Sequence, residues 1–420
     1  AGAVTLVWQG GRVLQVNELG HRDVDARLPM QRDTMFRIAS MTKPVTIAAA
    51  MSLVEEGKLA LTDRVATWLP ELADMRVLAE PRGPLDRTMP AHRHITVEDL
   101  MTHRSGLAYM FSVLGPLADA YRKLPARQDQ DRWLAELAEL PLAHQPGERL
   151  TYSVATDVLG IVLSRLEGKP LSEILTERIL GPLGMTDTGF SVGSTGRRRA
   201  ATMYHLDADT TLRHDVMGPA PITDPPFCMG GAGLWSTVDD YLRFARMLLA
   251  GGSVDGVRVL SEQSVASMRT DRLTDEQKRQ DFLGAPFWIG RGFGLNLSVV
   301  TDPAKSRQLF GPGGLGSFSW PGAYGTWWQA DPSADVILIY LIQNLPNLTV
   351  DAAAAIAGNT SLAKLQTAQT WAVRSAATKP WSCSAESSVA HRLYGDHGRL
   401  HLRWRIAEQR PLREAQVRQP

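Results

Sequence analysis

The sequence predicts an α/β fold of split construction, an antiparallel sheet flanked by helices and built from both chain ends, with a mainly helical region between them. Three observations carry this reading. The first twenty residues have the pattern of a β-hairpin, a second hairpin pattern returns near residue 330, and the stretch between is dominated by short helical runs broken by Pro- and Gly-rich loops. Residues 1–56 and 230–365 then form the α/β region and residues 57–229 the mainly helical one, with the seam between them the expected place for a site.

Val4-Thr5-Leu6-Val7-Trp8 is rich in β-formers, Gln9-Gly10-Gly11 supplies a turn, and Arg12-Val13-Leu14-Gln15-Val16 returns with alternation. From Thr42 to Glu56 the chain carries Val45, Ile47, Ala48, Ala49, Ala50, Met51, Leu53 and Val54 ahead of Gly57, the pattern of a buried helix closed by glycine. Pro44 constrains its start. Proline is tolerated in a first helical turn but costs about 3 kcal/mol in the interior, so the helix must begin within a residue or two of Ser40. Further on, Thr96-Val97-Glu98-Asp99-Leu100 and Leu171-Ser172-Glu173-Ile174-Leu175 are the clearest helical starts. Another helix is expected over residues 235–251, opened by the capping-box-like Ser236-Thr237-Val238-Asp239 and closed by Gly251-Gly252. Gly325–Ala330 and Val336–Ile342 flank Asp331-Pro332-Ser333 and make the second hairpin. Residues 366–420 are Arg-rich and aperiodic, the pattern of a basic tail, weakly ordered or peripheral.

With 420 residues, 44% of them hydrophobic and 21% charged, the chain can bury a substantial core. Its 45 basic residues balance 44 acidic ones, so no polyanion such as nucleic acid is expected as a partner, and a small neutral substrate fits better. Two cysteines, Cys228 and Cys383, cannot build a disulfide framework or a zinc site, and both are expected to be free thiols. No apolar run of about 18 residues is present, so no membrane span is expected and the expected location is cytoplasmic. Nothing in the pattern specifies an oligomeric state.

Ser40-Met41-Thr42-Lys43 places a hydroxyl and an amine three residues apart on one helix face. Serine is inert at its own pKa and needs a neighbouring base, which a buried lysine relieved of its proton can supply. The helix start adds unpaired backbone N–H groups able to meet a developing oxyanion. Two competitors share parts of this pattern. Ser361-Leu362-Ala363-Lys364 has the same spacing but no buried helix behind it. Gly189-Phe190-Ser191-Val192-Gly193 matches the G-x-S-x-G elbow of α/β-hydrolases but lacks the strand before and the helix after that an elbow needs.

Several segments read together resemble the family VIII carboxylesterases, relatives of class C β-lactamases. They are Phe36-Arg37-Ile38-Ala39-Ser40-Met41-Thr42-Lys43, Leu100-Met101-Thr102-His103-Arg104-Ser105-Gly106-Leu107, Tyr152-Ser153-Val154, Pro182 to Phe190, Gly230 to Thr237, and Ser319-Trp320-Pro321-Gly322-Ala323-Tyr324-Gly325-Thr326. They follow the family's order and cover roughly residues 1–345. The resemblance implies a serine β-lactamase-like, penicillin-recognising fold and two-step acyl transfer to water without metal or cofactor. It implies that Ser40 is acylated, that Lys43 assists its deprotonation, and that Tyr152 relays protons to the leaving group and then activates water. The oxyanion hole would be the backbone N–H groups of Ser40 and Ala323, with Trp320, Gly322 and Val154 against the substrate.

In the penicillin-recognising relatives, Lys-Thr-Gly and Tyr-x-Asn motifs supply polar recognition. Here Trp320 stands in place of that lysine and Val154 in place of that asparagine. A charge-assisted hydrogen bond is worth about 1.5–3 kcal/mol, so both changes favour an uncharged ester over a carboxylate-bearing β-lactam or peptide. The resemblance implies that the Thr102–His103 pair is structural rather than part of a triad, and Gly311-Pro312-Gly313-Gly314-Leu315-Gly316 reads as a turn into the next strand rather than a phosphate cradle. The alternatives are a transesterase, a D,D-peptidase or β-lactamase, and a non-catalytic binding module on the same fold.

Overall fold

The first strands of the chain and the strands between residues 291 and 342 find their backbone partners in one seven-stranded antiparallel sheet. Its spatial order is Arg291–Phe293, Ser298–Val300, Phe318–Ser319, Trp327–Asp331, Val336–Ile342, Ala3–Gln9, Arg12–Leu19. The computed structural model describes residues 2–124, 129–206, 212–214, 219–310 and 313–345. The readings for Ser361, Cys383, the 346–365 segment and the 366–420 tail lie outside these residues.

The N-terminal strand is interior to the sheet, running from Ala3 opposite Ile342 to Gln9 opposite Val336 on one side and pairing with Arg12–Leu19 on the other. Gly10 and Gly11 both adopt positive φ, 56° and 84°, the geometry that a two-residue hairpin turn needs to match strand twist. Side chains alternate across the sheet. Val4, Leu6, Trp328, Ile337, Ile339 and Leu341 enter the main core, while Ala3, Val7, Trp327, Val336, Leu338 and Tyr340 form a smaller cluster on the other face.

The Val238–Leu249 helix packs on the central strands, with Tyr241 and Phe244 meeting the Trp328 ring edge-on at 5.4 and 6.4 Å. This helix begins later than the expected residue 235. Trp235–Ser236 is instead a short strand paired with Phe36–Arg37, and the cap is Thr237, whose side chain accepts from the Asp240 N–H. The Asp240 carboxylate turns away to the Asp187 N–H and Thr188 hydroxyl, so the reciprocal half of a capping box is missing.

The Thr42–Glu55 helix is apolar around most of its surface and accordingly buried, against Ala155–Glu167 and Leu171–Leu175. Its start is held by the strand pair just named. Ile38 N–H donates to Leu234 O (3.0 Å), Leu234 N–H donates to the Thr42 hydroxyl (3.1 Å), and the Tyr241 phenol donates to Met41 O (3.0 Å). At its far end Arg178 bridges Glu56 and Glu167, each at 2.6 Å, and together with Lys58 holds the Glu56 carboxyl down to about 2.

Among the described residues of the middle of the chain the regular elements are mostly short helices, with Val97–Met101 opened by a complete Thr96–Asp99 capping box. A small hairpin, Arg76–Leu78 with Thr88–Pro90, interrupts it. Of the glycine run, Gly314 donates its N–H to Asp331, and the chain passes directly into the Phe318–Ser319 strand. No helix among the described residues is long and apolar enough to cross a membrane.

Trp328 joins the sheet to the Val238–Leu249 helix and is fully buried. Trp328→Ala is expected to cost about 3–5 kcal/mol, read as a fall in urea midpoint.

Candidate active site

Ser40 lies in the single 3-10 turn Ala39–Met41 that leads into the Thr42–Glu55 helix, as Pro44 required. Ala39 before it has φ 46°, a left-handed backbone that a non-glycine residue keeps only when its surroundings impose it. Lys43, one turn on, is fully buried. Its Nζ lies 3.2 Å from Ser40 Oγ, 3.1 Å from the Tyr109 hydroxyl and 2.7 Å from Gly231 O. These are three acceptors for the three N–H bonds of an ammonium. Gly231 O can only accept, whereas both hydroxyls can give or take a proton. The same three partners therefore suit a neutral amine once the Ser40 O–H turns to donate to it.

Tyr152 is buried beside this pair, its ring 4.7 Å from Lys43 Nζ, and its hydroxyl accepts from Trp320 Nε1 at 3.1 Å. Trp320 is only 2% exposed, so the indole presents its N–H to Tyr152 rather than a broad open face to a substrate. Phe293 and Phe282 pack against Trp320 at 5.1 and 5.9 Å, and with Leu273 and Trp288 they enclose the Tyr152 side of the site. Val154 is buried at the entry to the Ala155–Glu167 helix.

His103 is fully buried and spans two partners, Ser153 Oγ at 3.1 Å and Asn296 Oδ1 at 2.8 Å. Asn296 Nδ2 donates to Met101 O, which leaves its Oδ1 facing the ring, so Nε2 carries the proton and Nδ1 accepts from the Ser153 hydroxyl. Burial, reinforced by the Lys43 charge, holds His103 well below the usual histidine range. It is a neutral brace for the segment that carries Tyr152, and its ring meets Tyr152 edge-on at 4.7 Å.

Gly322 packs so tightly against Ile38 O and the Thr326 hydroxyl that a Cβ would overlap both. This brings the Ala323 peptide alongside the turn that carries Ser40. Neither the Ser40 nor the Ala323 N–H has a hydrogen-bond acceptor among the described residues.

Sequence reasoning missed Tyr109, Asp157, Gly231 and the aromatic enclosure. Asp157 was findable in principle, as a lone acid inside the apolar run Val154-Ala155-Thr156-Asp157-Val158-Leu159. It is fully buried and accepts from Gly231 N–H at 2.8 Å and from the Tyr109 hydroxyl at 3.4 Å. Burial pushes its carboxyl above the usual range, and the Lys43 charge pulls it back. The Ser191 hydroxyl donates to the Asp224 carboxylate, a far weaker base than the lysine or histidine that an activated serine needs. Cys228 is a free, half-buried thiol pushed up to about 11 by burial.

The model of the Beta-lactamase family matches residues 1–360, and the chain belongs to that family. It is 70% identical over 374 residues to Protein Rv1367c of Mycobacterium tuberculosis (strain ATCC 25618 / H37Rv), covering 89% of this chain and 93% of that one. Esterase EstB of Burkholderia gladioli is 32% identical over 363 residues, 81% and 85% of the two chains. Among solved structures, EstCE1, a hydrolase with promiscuous acyltransferase activity, superposes with a TM-score of 0.68 at 28% identity, over 84% of this chain and 93% of that one. The resemblance to the esterase branch of this fold is thereby borne out.

Two outcomes follow from this geometry. Gly322→Ala is expected to lower kcat by about 10²–10³ with KM little changed if the Ala323 N–H it displaces is an oxyanion donor, as the family resemblance implies. Histidine depressed by burial takes up its proton more readily in the unfolded chain. His103 therefore contributes stability that is complete above 6.5, its ordinary value, and is lost as pH falls toward its depressed folded one. The urea midpoint of the wild type should drop between pH 7 and pH 5 by more than that of His103→Asn.

Proposed function

We propose that the protein is a serine carboxylesterase that hydrolyses short-chain, uncharged carboxylic esters through an acyl-enzyme on Ser40. The observation that carries this is Lys43 Nζ, fully buried and 3.2 Å from Ser40 Oγ at the start of a helix. Ser40 Oγ attacks the ester carbonyl as its proton passes to Lys43, and the tetrahedral oxyanion is met by the Ser40 and Ala323 N–H groups. Collapse breaks the bond to the leaving alcohol, which takes a proton relayed through Tyr152. Water then loses a proton to the same relay as it attacks the acyl-serine, releasing the carboxylic acid and restoring Ser40.

The Trp320 bond to Tyr152 supports an ester over a β-lactam substrate. An indole N–H can hold the phenol as a lysine would, but without a cation for a substrate carboxylate. The aromatic enclosure suits an apolar ester. Transfer of the acyl group to an alcohol in place of water is the second reading, favoured by the similarity to EstCE1.

Initial rates on a short-chain nitrophenyl ester and a chromogenic cephalosporin, measured side by side, test the proposal. Ester turnover should vanish in Ser40→Ala, persist in Ser191→Ala and exceed cephalosporin turnover by at least about tenfold. Retention of ester turnover in Ser40→Ala would overturn it, and added short-chain alcohol that diverts acyl groups into a new ester would establish the second reading.

A further inference from the structure

Lys43 is a buried amine with no carboxylate in direct contact among the described residues, and a buried charge without a counter-charge is costly. The titratable groups that face it are His103 from the loop after Val97–Met101, Tyr109 from the loop beyond, Tyr152 from the segment before the Ala155–Glu167 helix, and Asp157 within that helix. His103 is neutral, and phenols keep their protons at neutral pH. Among the described residues that face it, Asp157 is therefore the group able to supply a negative charge. Two bridges connect it to Lys43. Gly231 donates its N–H to Asp157 and accepts from Lys43 at its carbonyl, through two successive peptide groups, and the Tyr109 hydroxyl donates to Asp157 while accepting from Lys43. Hydrogen bonds in series through one hydroxyl polarise each other, and Gly231 holds the acid and the amine on either side of a single Cα. The Gly231 bridge admits no side chain, since a Cβ there would lie 2.7 and 2.9 Å from the two Asp157 oxygens.

We propose that Tyr109 and Asp157 are positioning residues of the catalytic centre, forming a buried relay that aims Lys43 Nζ at Ser40 and supplies its counter-charge through Gly231 and the Tyr109 phenol. The proposal rests on Ser40 and Lys43 acting as described above. It differs from a purely architectural role, in which Asp157 would only anchor the Gly230–Gly231 loop at a helix start. A negative charge near an amine favours its ammonium form, so removing that charge lets the proton leave at lower pH.

The test is the pH dependence of kcat/KM on a short-chain nitrophenyl ester, with fluorophosphonate labelling of Ser40 in parallel, for the wild type, Asp157→Asn, Asp157→Glu and Tyr109→Phe. Asp157→Asn keeps an oxygen for the Gly231 N–H but loses the charge. Its acid limb should move down by about one pH unit, with Asp157→Glu restoring the wild-type position. Tyr109→Phe should lose roughly tenfold in kcat with KM little changed, the effect of about one lost hydrogen bond. An unshifted limb in Asp157→Asn, or a Tyr109→Phe loss confined to KM, would overturn the relay. Should Asp157→Asn fail to fold, the Tyr109→Phe split decides. Failure of the wild type to label at Ser40 would instead remove the acyl-enzyme reading itself, a result distinct from labelling with an unshifted limb.

Discussion

The buried amine of Lys43 is the constraint around which the rest of this structure is arranged. An amine withdrawn from water must have every N–H satisfied, and the three acceptors come from residues 3, 66 and 188 positions away in sequence. Satisfying it draws the 230–231 loop and the loop that carries Tyr109 onto the start of one helix. The strand pair of Phe36–Arg37 with Trp235–Ser236 then fixes that helix start from the other side. The candidate site and the closure of the fold thus draw on the same contacts, which hold the left-handed backbone of Ala39 in place.

Around this polar centre the site is conspicuously apolar. Trp320, Phe282, Phe293 and Trp288 surround Tyr152, and its hydroxyl is met by an indole N–H. Low polarity strengthens each remaining electrostatic contact, so a few hydrogen bonds suffice to orient the phenol and the amine. His103 extends the same economy outward, a neutral ring that braces Ser153 and Asn296 without adding charge.

The supporting architecture explains how such precision is held. An N-terminal strand in the interior of the sheet ties the first residues to Val336–Ile342, so the sheet is complete only when both ends of the described chain have folded. The Val238–Leu249 helix lies across those strands, and its Tyr241 reaches the Met41 carbonyl beside Ser40. Packing of the sheet is in this way transmitted to the turn that carries Ser40 by one phenol.

What the sequence determined by itself was local. Both hairpins, the buried Thr42–Glu55 helix, its start next to Ser40 and the Ser40–Lys43 spacing were legible because period, turn residues and the Pro44 constraint act over a few positions. The start of the Val238–Leu249 helix was misjudged because Trp235–Ser236 is claimed by a strand 200 residues away and Asp240 by the 187–188 turn. Only the tertiary structure could decide that Tyr109 rather than Tyr152 bonds the Lys43 amine, that Trp320 serves Tyr152, and that Asp157 answers Gly231. These are pairings between residues far apart in sequence. Their worth depends on burial and on distances of about 3 Å, which no local pattern of residue types encodes.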